Sequence, residues 1–330
     1  MRLTFFTSLA LALALPLAAA AQLGGTIGDT SPFTLDVTPQ YLAPYSRAVI
    51  SVQSSSLDLT NATMTVSVAG KDTYQGNVQP TSVTLGGAGS ATAVKVTLVT
   101  DSKTYTQTVS IRPQDVALIV EPVSSVPPLY KGKPFVPLEG GVRVVAMANL
   151  RNAGGTAIDP ATLAYSWTVD DTRITSSSGI GRSSIKVASP LQYRARTVSV
   201  AVSSQDGSLV GGDSLSLSPQ EPSMRLYEND PLLGIRFDHA LADTFAIKGA
   251  ESTLYAAPFS FPITSGAPLL QWFVNGSAAQ TGSLITLRPS GDGEGSASLS
   301  VTASSGDRTT TNTNILVTFG AKPSSNFFGL

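Results

Sequence analysis

The chain has 330 residues, of which 42% are hydrophobic and 13% charged, with a formal net charge of -1, one histidine and no cysteine. A soluble domain ordinarily carries about 25% charged residues, so a scaffold of exposed charged helices is excluded, and the near-neutral balance leaves no basic face for nucleic acid or anionic lipid. Disulfides, thiolate metal sites, thiol nucleophiles and lipid attachment at a cysteine are excluded outright; with one histidine, most imidazole catalysis and transition-metal binding go too, and no catalytic, cofactor or metal residue is expected.

Residues 1–21 begin with the single charge of Arg2, continue through an apolar run from Leu3 to Leu17, and end in Ala18, Ala19, Ala20 and Ala21 before Gln22. A charged start, an apolar stretch and a small-residue site read as a secretory signal peptide. Cleavage after Ala21 leaves 309 residues (330 minus 21) in the periplasm, at the cell surface or outside the cell. Left uncleaved, the run approaches the ~20 residues that span a bilayer, and only then is the membrane a partner. Pro16 and the alanine cluster suit processing better. Residues 22–31 read as a linker.

An exported chain of this size without disulfide staples needs cores that stand on packing alone. Three units of about 100 residues supply them, and an internal repeat points to that number. Tyr165-Ser166-Trp167-Thr168-Val169-Asp170-Asp171 matches Leu270-Gln271-Trp272-Phe273-Val274-Asn275-Gly276, with a weaker copy in Met64-Thr65-Val66-Ser67-Val68-Ala69-Gly70. The spacing is 101 residues from Val66 to Trp167 and 105 from Trp167 to Trp272. Each copy alternates apolar residues and ends in a turn pair, the pattern of a half-buried strand entering a tight hairpin. Val66, Trp167 and Trp272 are therefore expected to be structural core residues.

Other elements recur in the same order. Each unit opens with a short apolar strand near a proline (Pro39, Pro122, Pro231), expected at a sheet edge because proline donates nothing to a ladder. A second apolar strand follows at Val49–Val52, Val142–Met147 and Thr253–Ala257, and each unit closes in a hairpin turning near Asp101, Asp206 and Gly306. Short joins, Arg112-Pro113-Gln114 and Ser218-Pro219-Gln220, separate the units. The expected organisation is a signal peptide (1–21), three immunoglobulin-like β-sandwiches (32–113, 114–219 and 220–320) in a semi-rigid row, and a tail (321–330). One stretch, Phe237 to Ile247, is expected to make a turn or two of helix on an excursion between the first strands of the third unit. The Tyr227–Gly234 stretch is expected to form a fixed turn that packs the third unit against the second.

The proline-marked first strand and the W-x-V-[DN]-[DG] step resemble the bacterial PKD and immunoglobulin-like modules of uncharacterised exported proteins, over roughly residues 32–320. Val169-Asp170-Asp171 and Val274-Asn275-Gly276 depart from the usual W-x-F-G-D-G-like step of PKD modules. The resemblance implies an all-β fold and a non-catalytic structural or adhesive role in the cell envelope or on an appendage, with other envelope or appendage proteins as partners. It supplies no catalytic residue. The alternative is an accessory carbohydrate-binding protein, which needs an exposed aromatic row; Trp167 and Trp272 decide it.

A hydrolytic or metal site would have to gather His239 with Glu228, Asp230 or Asp243, but no second histidine or nucleophile motif accompanies them. A surface histidine is expected. Calcium, which takes oxygen ligands, would use Asp170 and Asp171, or Asp292 and Glu294, though neither pair has a calcium-loop spacing. Asn61-Ala62-Thr63 and Asn275-Gly276-Ser277 fit glycosylation acceptors and are incidental in a bacterial protein. In the tail, Phe327, Phe328 and Leu330 follow a Pro/Ser-rich leash; they either dock on another protein or fold back onto the third unit.

Overall fold

The computed structural model describes residues 32–320 apart from 102, 291, 292, 307 and 308. The signal segment, the linker and the tail with Phe327, Phe328 and Leu330 lie outside the described residues. Within them the chain is strands and loops, interrupted by 3-10 turns at Pro160–Thr162 and Thr175–Ser177. No described helix is long and apolar enough to cross a membrane.

The first unit contains β1 (Thr34–Thr38), β2 (Arg47–Gln53), β3 (Thr63–Val68), β4 (Lys71–Asn77), β5 (Thr81–Thr84), β6 (Thr92–Val99) and β7 (Thr104–Ile111). They form two sheets, β1-β2-β5 and β4-β3-β6-β7. The second unit repeats this plan with β8 (Asp115–Pro122), β9 (Gly141–Asn149), β10 (Ala164–Val169), β11 (Thr172–Arg173), β12 (Gly179–Ile180), β13 (Ser184–Ala188), β14 (Arg196–Ser203) and β15 (Val210–Leu217). Its sheets are β13-β9-β8 and β11-β10-β14-β15, with β12 also pairing β10. The third unit contains β16 (Ser223–Asp230), β17 (Gly234–Leu241), β18 (Thr244–Ala246), β19 (Ser252–Phe259), β20 (Leu269–Val274), β21 (Ser277–Thr281), β22 (Leu284–Leu287), β23 (Gly295–Ser305) and β24 (Thr309–Phe319). These pair as β17-β16-β19-β22 and β18-β24-β23-β20-β21.

Two-residue periodicity makes these sheets. Val142, Val144, Ala146 and Ala148 of β9 turn inward, as do Val94, Val96 and Leu98 of β6, and each unit encloses its own apolar cluster. Val66, Trp167 and Trp272 sit at equivalent positions with essentially no exposure. Each indole N–H finds an acceptor, Trp167 Nε1 donating to the Arg182 carbonyl and Trp272 Nε1 to the Gly282 carbonyl, both at 2.8 Å. A buried indole needs that partner; valine at 66 does not.

The turn after each of these strands has the same form. Its two central residues both have positive φ: Ala69 and Gly70 (49° and 83°), Asp170 and Asp171 (47° and 62°), Asn275 and Gly276 (50° and 80°). That is the mark of the I′ hairpin, whose twist matches the strands it joins. In the second and third units the first turn residue also binds the neighbouring strand through its side chain. Asp170 Oδ1 accepts from the Thr197 N–H and Asn275 Oδ1 from the Ser298 N–H, both at 2.9 Å. The Asp/Asn of the repeated step thus satisfies a backbone donor through a side-chain oxygen that alanine at 69 lacks.

Two expectations are corrected. β1 and β8 are edge strands, but β16 is interior, flanked by β17 and β19. Pro231 follows the last residue of β16, so it costs the ladder nothing. The stretch from Phe237 to Ile247 is not helical; it completes β17 and forms β18, which runs parallel to β24. The β16–β17 pairing steps from Tyr227↔Ala240 to Asn229↔Ile235, so β17 carries three more residues than β16 across the irregularity. That insertion breaks the two-residue alternation and mimics helical spacing.

Candidate functional site: the sandwich junctions

Both Pro–Gln joins fall where one unit ends and the next begins, between β7 and β8 and between β15 and β16. In each, the glutamine N–H donates back to the loop between the first two strands of the preceding unit, Gln114 to the Leu42 carbonyl (3.1 Å) and Gln220 to the Val136 carbonyl (2.8 Å). The same backbone bond thus recurs at both joins. Proline fixes φ and directs the following N–H into the loop.

At the first junction the Gln114 side chain is buried, 2% exposed. Its Oε1 accepts from the Arg151 N–H at 2.8 Å and its Nε2 donates to the Arg151 carbonyl at 3.2 Å. One amide therefore satisfies both backbone groups of a residue 37 positions away. Behind it, a Cβ on Gly212 would lie 2.6 Å from Tyr41 Cδ2 and 2.6 Å from the Val200 carbonyl oxygen. Only glycine lets the first unit's tyrosine approach β15 so closely.

At the second junction Gln220 is exposed. Its place is taken by Ser125, in the long loop after β8, which forms a short ladder with the loop after β19. The Ser125 N–H donates to the Phe261 carbonyl (2.8 Å), the Ser260 N–H to the Ser125 carbonyl (3.1 Å), and the Phe261 N–H to Ser125 Oγ (3.1 Å). Ser305 Oγ donates to the Pro262 carbonyl at 2.7 Å. Ser124, Ser125, Ser260 and Phe261 are all buried.

Beside this ladder lies an aromatic cluster on the outer face of the β16–β19 sheet. Tyr227, Phe237, Tyr255 and Phe259 pack together with Val126 of the second unit. Tyr130 of that unit meets Phe259 edge to face at 5.6 Å. Tyr227 thus packs where the second and third units meet, as expected of its stretch. The turn that follows does not: Leu232 and Leu233 are exposed at its tip, and Asp230 Oδ1 accepts from both their N–H groups.

Next to the second junction a cleft of about 620 Å³ opens between the Leu191–Arg194 loop and the start of β24, with Glu139, Glu221 and Thr310 also on its walls. Gln192 Nε2 donates to Glu221 Oε1 at 2.7 Å along this face. Its mixed polar lining suits a peptide or loop rather than a compact apolar ligand.

The remaining candidate residues are dispersed. His239 is exposed on β17. Asp238 beside it pairs with Arg236 (3.1 Å), which lowers the carboxyl pKa. Asp230 is occupied by its own turn, which lowers its pKa too. Asp170 is held by Arg196 at 2.9 Å. Asp292 lies outside the described residues. Among those described, no three His, Asp or Glu side chains gather as a metal site. Trp167 and Trp272, being buried, present no face on which a sugar stacks. Sequence reasoning missed the roles of Gln114 and Ser125; the repeated Pro–Gln step and the Gly211-Gly212 pair were the available signals.

No family model matches the sequence, and no curated protein matches it. Several solved structures are similar. One is the central fibronectin-III array of RIM-binding protein, at 10% identity over 88% of this chain and 98% of that one, with a TM-score of 0.29. A second comprises three N-terminal domains of the highly immunogenic outer capsid protein of bacteriophage RB49, at 12% identity over 89% and 100% of the two chains, with a TM-score of 0.24. A third, the fibronectin(III)-like modules of Clostridium thermocellum CbhA, has 14% identity over 59% and 92%, with a TM-score of 0.23. By its own paired sheets the chain is an all-β array of tandem immunoglobulin-like sandwiches.

Proposed function

We propose that this chain is an exported, non-catalytic structural or adhesive protein of the bacterial cell envelope or a surface appendage, acting through its sandwiches on other envelope or appendage proteins. The observation that carries the reading is the construction of the two junctions. Each joins neighbouring units through hydrogen bonds in addition to the covalent link, the Gln114 N–H to the Leu42 carbonyl at the first and the Ser125 ladder with Ser260 and Phe261 at the second. Such joints hold the loop tips of successive sandwiches at set spacings, which is what a spacer or display element requires. The Arg2-to-Ala21 segment supports export.

Proximity labelling in the native cell with the full chain tests this. The expected outcome is a chain beginning at Gln22 with envelope or appendage proteins as its neighbours. A chain that keeps Met1 and labels cytoplasmic proteins would overturn both export and the envelope role.

A further inference from the structure

β24 is paired along its whole length on one side and along only part of it on the other. β23 matches every residue from Thr309 to Phe319, while β18 covers only Leu316, Val317 and Thr318. The bonds on the β18 side fix which residues face that way. The Leu316 N–H donates to the Asp243 carbonyl (2.8 Å), and the Thr318 carbonyl accepts from the Ile247 N–H (2.9 Å). Backbone groups alternate sides along a strand, so Thr310, Asn312 and Asn314 direct their N–H and C=O groups to the same open side, where no described residue pairs with them. The chain path explains the open stretch. Continuing the β18 register backwards would set Ala240 beside Asn312, but Ala240 pairs with Tyr227 of β16 in the opposite sheet. Open edges are ordinarily guarded by lysine, proline or a bulge. Thr310-Thr311-Asn312-Thr313-Asn314 has none of these, and its ladder with β23 is regular.

We infer that this edge receives an extended, basic segment of a partner protein, which adds a strand to the β24 sheet. The edge begins in the cleft at the second junction, where Thr310 and Thr311 line one wall and the Leu191–Arg194 loop another. The open N–H and C=O groups supply the hydrogen bonds of strand addition, and the side chains around them supply selectivity. Charge selects a basic segment. Glu139 and Glu221 are exposed on the cleft walls, and neither forms an ion pair with a described residue. Glu221 Oε1 accepts from the neutral Gln192 amide. The cleft sets one cation, Arg194, against these two carboxylates, a net charge of -1. A second copy fits less well, because its own β24 edge is flanked by the same loop, and edge-to-edge pairing would bring both loops into one gap. The inference names how a partner attaches. It therefore rests on the reading that the sandwiches act on other proteins, but not on export.

Purified full-length protein tests this separately from the labelling that tests export and location. Hydrogen exchange resolved by residue is followed in dilute protein, alone and with the capped peptide Thr-Val-Lys-Val-Lys-Val-Thr at about 1 mM. Alone, the amides of Thr310, Asn312 and Asn314 should exchange fast, and those of Thr311 and Thr313, which face β23, slowly. The peptide should slow the first set about tenfold and leave the second unchanged. Its analogue with glutamate for both lysines should bind about fivefold more weakly. Asn312→Pro removes a donor on the open side only, so Thr311 and Thr313 should stay protected while peptide binding is lost. Should that variant fail to fold, Glu139→Lys with Glu221→Lys, both at exposed positions, should reverse the preference between the two peptides. No slowing at Thr310, Asn312 and Asn314 with the basic peptide would overturn strand addition, and equal binding of the two peptides would overturn the basic partner. Protection of the open amides without peptide would also overturn the proposal. If independent of dilution it assigns the edge to the chain itself, and if rising with protein concentration it assigns it to a second copy.

Discussion

The two junctions start from the same dipeptide and reach closure by different chemistry. At the first, one buried glutamine side chain answers both backbone groups of Arg151, and glycine at 212 admits Tyr41. At the second, the corresponding glutamine faces solvent, and a serine 95 residues earlier supplies the buried hydrogen bonds together with its own backbone (220 minus 125). The difference separates what the repeat conserves from what each interface must solve. Chain direction and the glutamine N–H bond recur because the fold places a loop carbonyl there each time. The buried polar groups around them differ, and each set needs its own partner because an unpaired buried donor costs about 1–3 kcal/mol.

Loss of the two tryptophans gives the largest expected effect. Trp167→Ala and Trp272→Ala should each destabilise their own unit by ~3–5 kcal/mol through the cavity and the abandoned carbonyl. The units differ in what they support. The second unit belongs to both junctions, so Trp167→Ala should release protection at Gln114 and at Ser125, while Trp272→Ala should release only the second. Hydrogen exchange resolved by residue checks this. Protection retained at both junctions after Trp167→Ala would mean that neither depends on the folded second unit.

Gln114→Leu comes next, leaving the Arg151 N–H and carbonyl without their partner at a cost of about 2–4 kcal/mol. Ser125→Ala removes one acceptor, that of the Phe261 N–H, and should cost about 1–3 kcal/mol. Gln220→Ala, at the matching but exposed position, should stay within about 0.5 kcal/mol. Denaturant unfolding of the three variants ranks them. Equal effects at Gln114 and Gln220 would erase the distinction between the junctions.

These differences mark what a sequence discloses. The Trp-bearing strands and their turns were legible because alternation and a turn pair are local signals, carried within seven residues such as Leu270 to Gly276. The Pro–Gln joins were legible as boundaries. The glutamine clamp was not, since burial of Gln114 depends on Arg151 reaching it through the tertiary fold, and identical Pro–Gln steps carry opposite burial. The β17 hairpin was misread for a physical reason. Ile235, Phe237 and Ala240 all pack on the aromatic cluster, and the inserted residues space them by two and then three, so neither a strand nor a helix period fits throughout. The cluster's tyrosines and phenylalanines lie on an outer sheet face, covered by a loop of another unit, which alternation alone presents as solvent-facing.

The smallest effect distinguishes the junctions by their response to acid. The hairpin between β14 and β15, whose far side brings Gly211 and Gly212 against Gln114 and Tyr41, is tied at its tip by Asp206. Hydrogen bonds from the Ser204 and Ser208 side chains, joined by the Ser208 N–H, lower its carboxyl pKa to about 2. The native hairpin therefore favours the carboxylate. The stability it contributes is fully present above the ordinary value of 3.8 and is lost as pH falls through about 2. The Ser125 ladder at the second junction is built from hydroxyl and backbone groups, none of which titrates in that range. On acidification from pH 4 to pH 2, amides of the 204–209 turn should lose protection before those of Ser125 and Phe261, and the Asp206 carboxyl should titrate near 2 by NMR. A carboxyl midpoint near 3.8 would remove the serine tie, and with it the reason for the first junction to loosen first.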